Sequence, residues 1–414
     1  MCTRFGAVPH KRVAAALFLA LLPLGAYGQD SGLTLHDVME MARKRAPAIL
    51  AARARIEEAR GRLKGASILL QQNPEIETEA GPRTSDRGRF ADIDVGISQG
   101  FELGGRRKAR IAGTQAGVDR EIASSEEATR RLLREVAASF LRALASQERM
   151  QLLAETEQIA AEFLRIAERR YQAGDIPVLE VNLARTSAAR ARSELRVAGA
   201  DFASAIGELR VLLGMALGQP FSLRGDLRDR PSYDLDALLT RAQAERPDLR
   251  ALAAELREAE ADVRLGEGFK WPDLGISTRY QREEGANVFQ GGLKITLPVF
   301  SRGQELRSTG NARAARIRLE LAALSGVIQN EIKTALDVYE LRSDAANELE
   351  KDALPSLAEN ETLARRGYEE GELGLVELLL VRREIFGMRL AYIGSLLEMR
   401  LAAIEVEFRA GVLK

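Results

Sequence analysis

The sequence contains an internal duplication, in which motifs of the first half recur in the same order in the second half. The clearest pair has a tyrosine, a glycine and a later glutamate, at Tyr171, Gly174 and Glu180 and again at Tyr368, Gly371 and Glu377. A repeated order of motifs at a nearly constant offset predicts two copies of one structural unit. We therefore expect a first structural repeat over 29–230 and a second over 231–414.

Each repeat contains long helical segments that carry a coiled-coil pattern. No proline interrupts the chain between Pro82 and Pro177, and a helix over about 105–172 would be about 100 Å long. A helix of that length requires partner helices. Apolar residues recur every seven positions in the returning segments, the spacing of a coiled-coil seam. They are Val181, Ala188, Leu195, Phe202 and Leu209, then Leu378, Ile385, Tyr392, Met399 and Val406. We predict one helical hairpin per repeat, with tips at about 172–177 and 369–374.

Two shorter segments before each long helix alternate apolar and polar residues, which is typical of a strand with one apolar face. They lie at about 74–81 and 91–101 in the first repeat and at about 273–282 and 287–297 in the second. Pro74 and Pro272 disfavour helix in the residue before them and so mark both changes from helix to strand. Each segment has about the length of a membrane-spanning strand.

Four strands cannot form a closed membrane barrel by themselves. Lipid does not tolerate an open sheet edge, and membrane barrels begin at about eight strands. If the strands face lipid, several copies of the chain must therefore share one barrel. The alternative is a water-soluble coiled coil that carries two β-hairpins.

The N-terminus has the features of a secretory signal peptide over 1–28. His10, Lys11 and Arg12 precede an apolar run over 13–24, and small residues follow at Ala26 and Gly28. The run is too short for a membrane-spanning anchor. Cys2 lies before the apolar run and not at the cleavage site, so we expect no lipidated cysteine at the mature N-terminus.

The composition argues against nucleic-acid binding and enzyme chemistry. The chain has 60 basic and 60 acidic residues, so it lacks the positive charge that attracts nucleic acid. Without 1–28, no cysteine remains and His36 is the only histidine. Such a chain has no thiol nucleophile and no Cys/His zinc site. We expect neither an enzyme nor a resident metal or cofactor.

On these features the sequence resembles the TolC family of outer membrane efflux proteins. The resemblance rests on the duplicated layout, on the Asn73-Pro74 step that opens the first strand, and on the duplicated tip motif. It covers nearly all of the chain after the signal peptide. Within that family, the stretch Phe-Glu-Leu-Gly-Gly-Arg-Arg at 101–107 is similar to the strand-to-helix junction of the cobalt-zinc-cadmium resistance branch.

The resemblance implies a mainly α fold with a small β part. Three copies would form a twelve-stranded β-barrel in the outer membrane of a Gram-negative bacterium, continued into the periplasm by an α-barrel of coiled-coil helices. The implied partners are a periplasmic adaptor, an inner-membrane pump of the resistance-nodulation-division type and outer membrane lipid. The implied function is a passive duct that exports heavy-metal cations. Drug efflux and type I protein secretion stay open, as does, less favourably, a periplasmic adaptor or structural coiled coil.

The resemblance also implies roles for residues at the two hairpin tips. Glu180, Glu377 and Tyr368 match a periplasmic gate, in which we expect Tyr368 to hydrogen-bond Glu180 when closed and three Glu377 carboxylates to form a ring. Leu373 stands where some family members carry a gate arginine. The alternative is that both glutamates are solvated residues favoured by the helix dipole. The expected adaptor-docking residues of the tip are Tyr171, Gly174, Asp175, Gly371 and Glu372.

The strand pattern predicts a charged interior for the barrel. The acids with the inward parity are Glu75, Glu77, Glu79, Asp92 and Asp94, opposed by Arg279 and Lys294. An excess of acids in a pore favours cations. A register shift of one residue would move all of these side chains to the other face.

Overall fold

The computed structural model describes residues 32–216 and 218–413, and the predicted signal peptide over 1–28 lies outside this range. The elements in chain order are α1 (Leu35–Arg45), α2 (Pro47–Ala66), β1 (Glu75–Ser85), β2 (Gly88–Phe101), α3 (Arg106–Gln172), α4 (Val178–Leu212), α5 (Leu235–Glu245), α6 (Pro247–Gly268), β3 (Asp273–Glu283), β4 (Ala286–Thr296), α7 (Gln304–Glu348), a π-helical turn (Leu349–Ala353), α8 (Leu354–Glu369) and α9 (Leu375–Arg409). The order of two short helices, two strands and two long helical arms occurs twice. The predicted fold class, a duplicated and mainly helical chain with a small β part, is confirmed.

The two repeats begin with the same local chemistry. Thr34 and Asp234 are the N-caps of α1 and α5, and their side chains accept hydrogen bonds from the backbone N–H groups of Asp37 and Ala237. Such caps satisfy donors that a helix start leaves unpaired. Proline then occupies the first position of α2 and of α6, where it has no N–H bond to lose. This explains why each repeat starts with a short helix followed directly by a second one.

The long helices pack along the predicted coiled-coil seams. All five seam residues of α9, from Leu378 to Val406, are buried. In α4, Val181, Ala188 and Leu209 are buried, whereas Leu195 and Phe202 are partly exposed. The main core surrounds the middle of α3, where the C-terminal parts of α4, α7 and α9 meet the short helices and the segment that joins the repeats.

The four strands form one antiparallel sheet in the order β1-β2-β3-β4. β1 and β2 are longer than predicted, because pairing continues as far as Ser85 and Gly88 around a turn at 86–87. Pro82 is tolerated in β1 because an edge strand has one unpaired side. The second hairpin turns at Glu284 and Gly285, both at positive φ, as a tight two-residue hairpin turn requires.

The junction from sheet to long helix depends on glycine. Gly104 has φ 69°, and a Cβ there would lie 2.5 Å from the carbonyl oxygen of Gly268 and 2.6 Å from the Trp271 ring. The chain then enters α3, where the buried Arg106 side chain forms an ion pair with Asp273 of β3. Its guanidinium also lies 4.8 Å from the centre of the Phe269 ring. The residues at 101–107 therefore attach α3 to the second β-hairpin of the sheet through the Arg106–Asp273 ion pair.

Among the residues that the structure describes, no helix is both long enough and apolar enough to cross a membrane.

Candidate functional site

The two helical hairpin tips pack against each other at the end of the chain farthest from the sheet. Ala167, Ile176 and Val181 of the first hairpin form a small apolar cluster with Leu375 of the second. Gly174 has φ 85° and Gly371 has φ 80°, so both tight reversals use the left-handed region that favours glycine. The duplicated glycine of the tip motif therefore has the same conformational role in both repeats.

Tyr368 belongs to a stack of side chains that joins the two hairpins. Its hydroxyl lies 3.3 Å from Nη1 of Arg170, and its ring meets Phe163 edge to face at 6.2 Å between centroids. On the other side, the Arg382 guanidinium lies 4.6 Å from the centre of the Phe163 ring. We call Arg170, Tyr368, Phe163 and Arg382 the tip stack. It links α3 to both α8 and α9.

The two tip glutamates occupy equivalent places at the start of the returning helices. Glu180 is partly exposed in the first turn of α4, and Glu377 is exposed in the first turn of α9. The Glu377 carboxylate turns back toward the N-cap, since a Cβ at Gly374 would lie 2.5 Å from its Oε2. A carboxylate at a helix N-terminus is stabilised by the helix dipole.

In the described part of the chain, the Tyr368 hydroxyl accepts from Arg170, and no hydrogen bond joins it to Glu180. Arg170 was not among the predicted gate residues. The only expectation about a gate arginine concerned Leu373, which stands where some family members carry one. Arg170 directly precedes the tyrosine of the first tip motif, but its counterpart in the second tip is Gly367, so the duplication did not mark it. The bond from Tyr368 to Glu180 stays a prediction for a closed state.

The residues expected to dock an adaptor are all accessible. Tyr171, Gly174, Asp175, Gly371 and Glu372 are exposed at the two turns. Near them, α3, α4 and α9 enclose a groove of about 470 Å³ that sequence reasoning missed. Its walls include apolar side chains of Leu183, Leu379 and Phe386, and Phe163 and Arg382 of the tip stack. The tip thus offers both exposed turns and an apolar groove.

The sheet register places the five predicted acids on one face. Glu79 lies opposite Asp94, which lies opposite Gln281, and Glu77 lies opposite Gly96, which lies opposite Arg279. Arg279 bridges Glu77 and Asp94, with both N–O distances at 3.0 Å. Residues directly opposite in a sheet share a face. The acids and Arg279 therefore form one charged surface.

Arg83 extends this network of ion pairs toward the hairpin turns. Arg83 donates to Asp92 at 2.5 Å and to Glu283 at 3.3 Å, so it joins the first strand pair to β3. Neither Arg83 nor Glu283 was predicted, because Arg83 follows Pro82, beyond the predicted end of the strand. With the observed ends of the strands, Arg83 and Glu283 lie on the same face of the sheet as the acidic residues.

The opposite face of the sheet is apolar and exposed in the single chain. Ile76 is 70% exposed, Phe289 80% and Leu293 66%. Cross-strand pairing groups them with the other apolar residues of the face, which are Ile93, Val95, Ile97, Ile276 and Ile295. An apolar surface of this extent requires an apolar environment.

Comparisons with known proteins agree on one family. A family model described as outer membrane efflux protein matches residues 38–215 and 238–411. The cobalt-zinc-cadmium resistance protein CzcC of Cupriavidus metallidurans is 29% identical over 91% of this chain and 89% of its own length. The pyoverdine export outer membrane protein OpmQ of Pseudomonas putida is 23% identical over 85% of this chain and 80% of its own. A crystal structure of CusC superposes with a TM-score of 0.74 and 17% identity, covering 91% of this chain and 92% of CusC.

We predict that the two tip tyrosines differ in their contribution to stability. Tyr368→Ala removes an aromatic edge contact worth about 0.5–1.5 kcal/mol and a cation–π contact worth about 0.5–1 kcal/mol. The opening free energy of the last turn of α8 should fall by about 1–3 kcal/mol. Hydrogen exchange of the amides at 363–369 measures this change. Tyr171→Ala, at the matched and exposed position of the first tip, is the control and should change local protection little. Equal losses in the two variants would contradict the prediction.

Proposed function

The chain belongs to the outer membrane efflux protein family, and we propose that it forms the outer membrane duct of a tripartite efflux system. Proteins of this family are outer membrane channels and not enzymes. The observation that carries the proposal is an open sheet, apolar on one face and charged on the other, joined to a pair of very long helical hairpins.

The duct is proposed to be a homotrimer. Within the described chain, β1 and β4 each have one neighbouring strand, so the outer backbone groups of both are unpaired. Pairing β1 of one copy with β4 of the next satisfies these groups, and three copies give a closed barrel of twelve strands, within the range of known membrane barrels. The apolar face then contacts outer membrane lipid, and the charged face lines the lumen.

The partners of the duct are proposed to meet it at the opposite end. α3 has 67 residues and extends about 100 Å from the sheet, which places the hairpin tips deep in the periplasm. A periplasmic adaptor would contact the exposed turns at Tyr171, Gly174, Asp175, Gly371 and Glu372. The adaptor would connect the duct to an inner-membrane pump of the resistance-nodulation-division type.

The exported substrates are proposed to be heavy-metal cations. Two features support this cargo, the 29% identity to a protein named for cobalt, zinc and cadmium resistance and the acidic character of the charged face. Glu75, Glu77, Glu79, Asp92 and Asp94 would line the lumen, where an acidic surface attracts cations. Export of a larger organic molecule is the second candidate, favoured by the similarity to a pyoverdine export protein.

The gate is proposed to lie at the tips. Three Glu377 side chains, one from each copy, would form a ring that repels itself when dehydrated and so favours a bound cation. Glu180 would lie at the same level in the first hairpin. In the closed state, the Tyr368 hydroxyl would keep accepting from Arg170 and would donate a hydrogen bond to Glu180.

We expect the mature protein, residues 29–414, to be extracted only with detergent and to migrate as a trimer. Unheated and heated samples should run differently in gel electrophoresis, because the shared barrel resists detergent until it is heated. Light scattering in detergent gives the number of copies. A monomer that stays soluble without any amphiphile would refute the duct.

We expect deletion of the gene to raise the sensitivity of the source bacterium to cobalt, zinc or cadmium several-fold. Minimum inhibitory concentrations of these salts are compared with those of a panel of organic antibiotics, and the wild-type gene on a plasmid should restore resistance. Sensitivity to the organic compounds alone would favour the second candidate and exclude metal export.

Replacement of the tip carboxylate should change the response of the channel to divalent cations. Glu377→Ala removes the proposed ring, so the block of single-channel current by divalent cations added from the periplasmic side should weaken about tenfold or more. Glu370→Ala removes a carboxylate at the same tip that has no proposed place in the ring, and it serves as the control. Unchanged block in Glu377→Ala would remove the ring from the proposal.

A further inference from the structure

The segment between the two repeats contacts three of the four longest helices. Within residues 228–233, successive side chains and carbonyl groups bind α3, α7, the π-helical turn and α9. We call residues 228–233 the clamp. These six consecutive residues of a connecting segment thus form bonds to four different elements.

The clamp is bound to α9 on two levels. The Arg400 guanidinium donates to Asp229, at 2.8 Å to Oδ2 and 2.9 Å to the carbonyl oxygen. Nearer the C-terminus of α9, the Tyr233 hydroxyl donates to Oε1 of Glu407 at 2.9 Å. Burial raises the pKa of the Glu407 carboxyl and that of the Tyr233 phenol. The Tyr233–Glu407 bond is therefore desolvated, whereas the Asp229 side chain bound by Arg400 is 66% exposed.

α7 and α3 provide the other fixed points. The Tyr339 hydroxyl of α7 donates to the Pro231 carbonyl oxygen at 2.5 Å, and its ring lies edge to face with Tyr233 at 5.2 Å. Arg228 lies 3.8 Å from Glu148 of α3, and its guanidinium is 6.0 Å from the centre of the Tyr392 ring of α9. Three helices, α3, α7 and α9, thus anchor the clamp.

The remaining contact reaches the only π-helical turn in the described chain. Arg230 forms an ion pair with Glu350, and this guanidinium lowers the pKa of the Glu350 carboxyl. The side chains are 27% and 37% exposed, so the pair is accessible to water. A pair in such a setting contributes little to stability. The same holds for the longer Arg228–Glu148 pair, but only the Arg230–Glu350 pair, among these contacts of the clamp, joins it to the π-helical turn.

The π-helical turn is a break in the second hairpin that the first hairpin lacks. The outgoing arm of the second repeat changes from α-helix to π-helix at Leu349–Ala353 and resumes as α8 with Pro355 in its first turn. α3, the matching arm, continues for 67 residues without a break. A π-turn followed by proline interrupts the regular bonding pattern and permits a kink. Bending is therefore easier in the second hairpin than in the first.

The returning helix is also weakened at this level. Gly394 lies two residues after Tyr392 in α9, and a Cβ built there would meet nothing within 4 Å. Packing within the chain therefore does not require glycine at this position, yet glycine makes the interior of a helix less stable than alanine does. Both arms of the second hairpin thus have a weak point beside the clamp.

We propose that residues 228–233 set the angle of the second hairpin about the π-helical turn, and that the Arg230–Glu350 pair is the releasable bond of this clamp. The inference rests on the proposed function, because a change in this angle would move the second tip, where the gate of the duct is proposed to lie. When the pair is formed, α8 is held against the linker and the tip stack keeps its place. When the pair breaks, α8 pivots while the anchors on α3, α7 and α9 remain.

Charge reversal tests the clamp. Arg230→Glu and Glu350→Arg each replace attraction with repulsion, so each should raise mean single-channel conductance several-fold and speed hydrogen exchange in peptides that cover 354–369. The double variant Arg230→Glu/Glu350→Arg restores an ion pair and should return both readouts to near wild type. Asp337→Lys, which breaks an exposed ion pair with Lys333 on α7, is the control and should leave both unchanged.

Single-channel conductance and hydrogen exchange together distinguish an error in the proposed clamp from an error in the proposed duct. If the wild-type protein forms no channel, the proposed function fails, and hydrogen exchange in detergent still tests the clamp. If channels form but the single reversals match wild type in both readouts, or the double variant does not restore them, the clamp is refuted. Glu350→Gln, which loses only the charge, should show a smaller change of the same sign and covers the case in which a reversal does not fold.

Discussion

The unpaired edges of the four-stranded sheet are the constraint on which the rest of the architecture depends. Each outward-facing N–H or C=O group of β1 and β4 costs several kcal/mol if it is buried in lipid without a partner. In the proposed trimer, these groups find partners in further copies of the chain. Copies that join edge to edge around an axis also bring their long helices together around that axis. Closure of the barrel would therefore fix the symmetry of the helical part, and one pore would run through both.

Periodicity made most of the fold predictable. The alternation of Ile93, Val95 and Ile97 with polar residues predicted the strand and the face it shares, and the seven-residue spacing in α9 predicted five side chains that are all buried. Both periods arise from the geometry of the backbone within one element. The ends of the strands were harder to predict. Whether pairing continues past Pro82 depends on which edge of β1 has a neighbouring strand, and the alternation of residues within β1 does not contain that information.

The contacts that join the repeats could not be predicted in the same way. Arg170 with Tyr368, Arg83 with Glu283 and Arg230 with Glu350 each pair residues far apart in the chain, and nothing in the local sequence distinguishes these arginines from the many others. In this chain arginine bridges helices and strands that the apolar seams have already brought close. Its partners follow from the packing, so they become visible only when the packing is known.

The two repeats differ at their tip tyrosines and in the continuity of their outgoing helices, and these differences suit a rigid first hairpin and a movable second hairpin. The tyrosine of the first tip is exposed and that of the second is stacked, and α3 is continuous while its counterpart is broken by the π-helical turn. A duct that opens at one end needs a rigid frame and a movable part, and two identical hairpins would move together or not at all. Duplication supplies two hairpins of equal reach, and a local break in one of them is sufficient to make that hairpin the movable one. The linker between the repeats is well placed to control the break, because it is the one segment that both halves share.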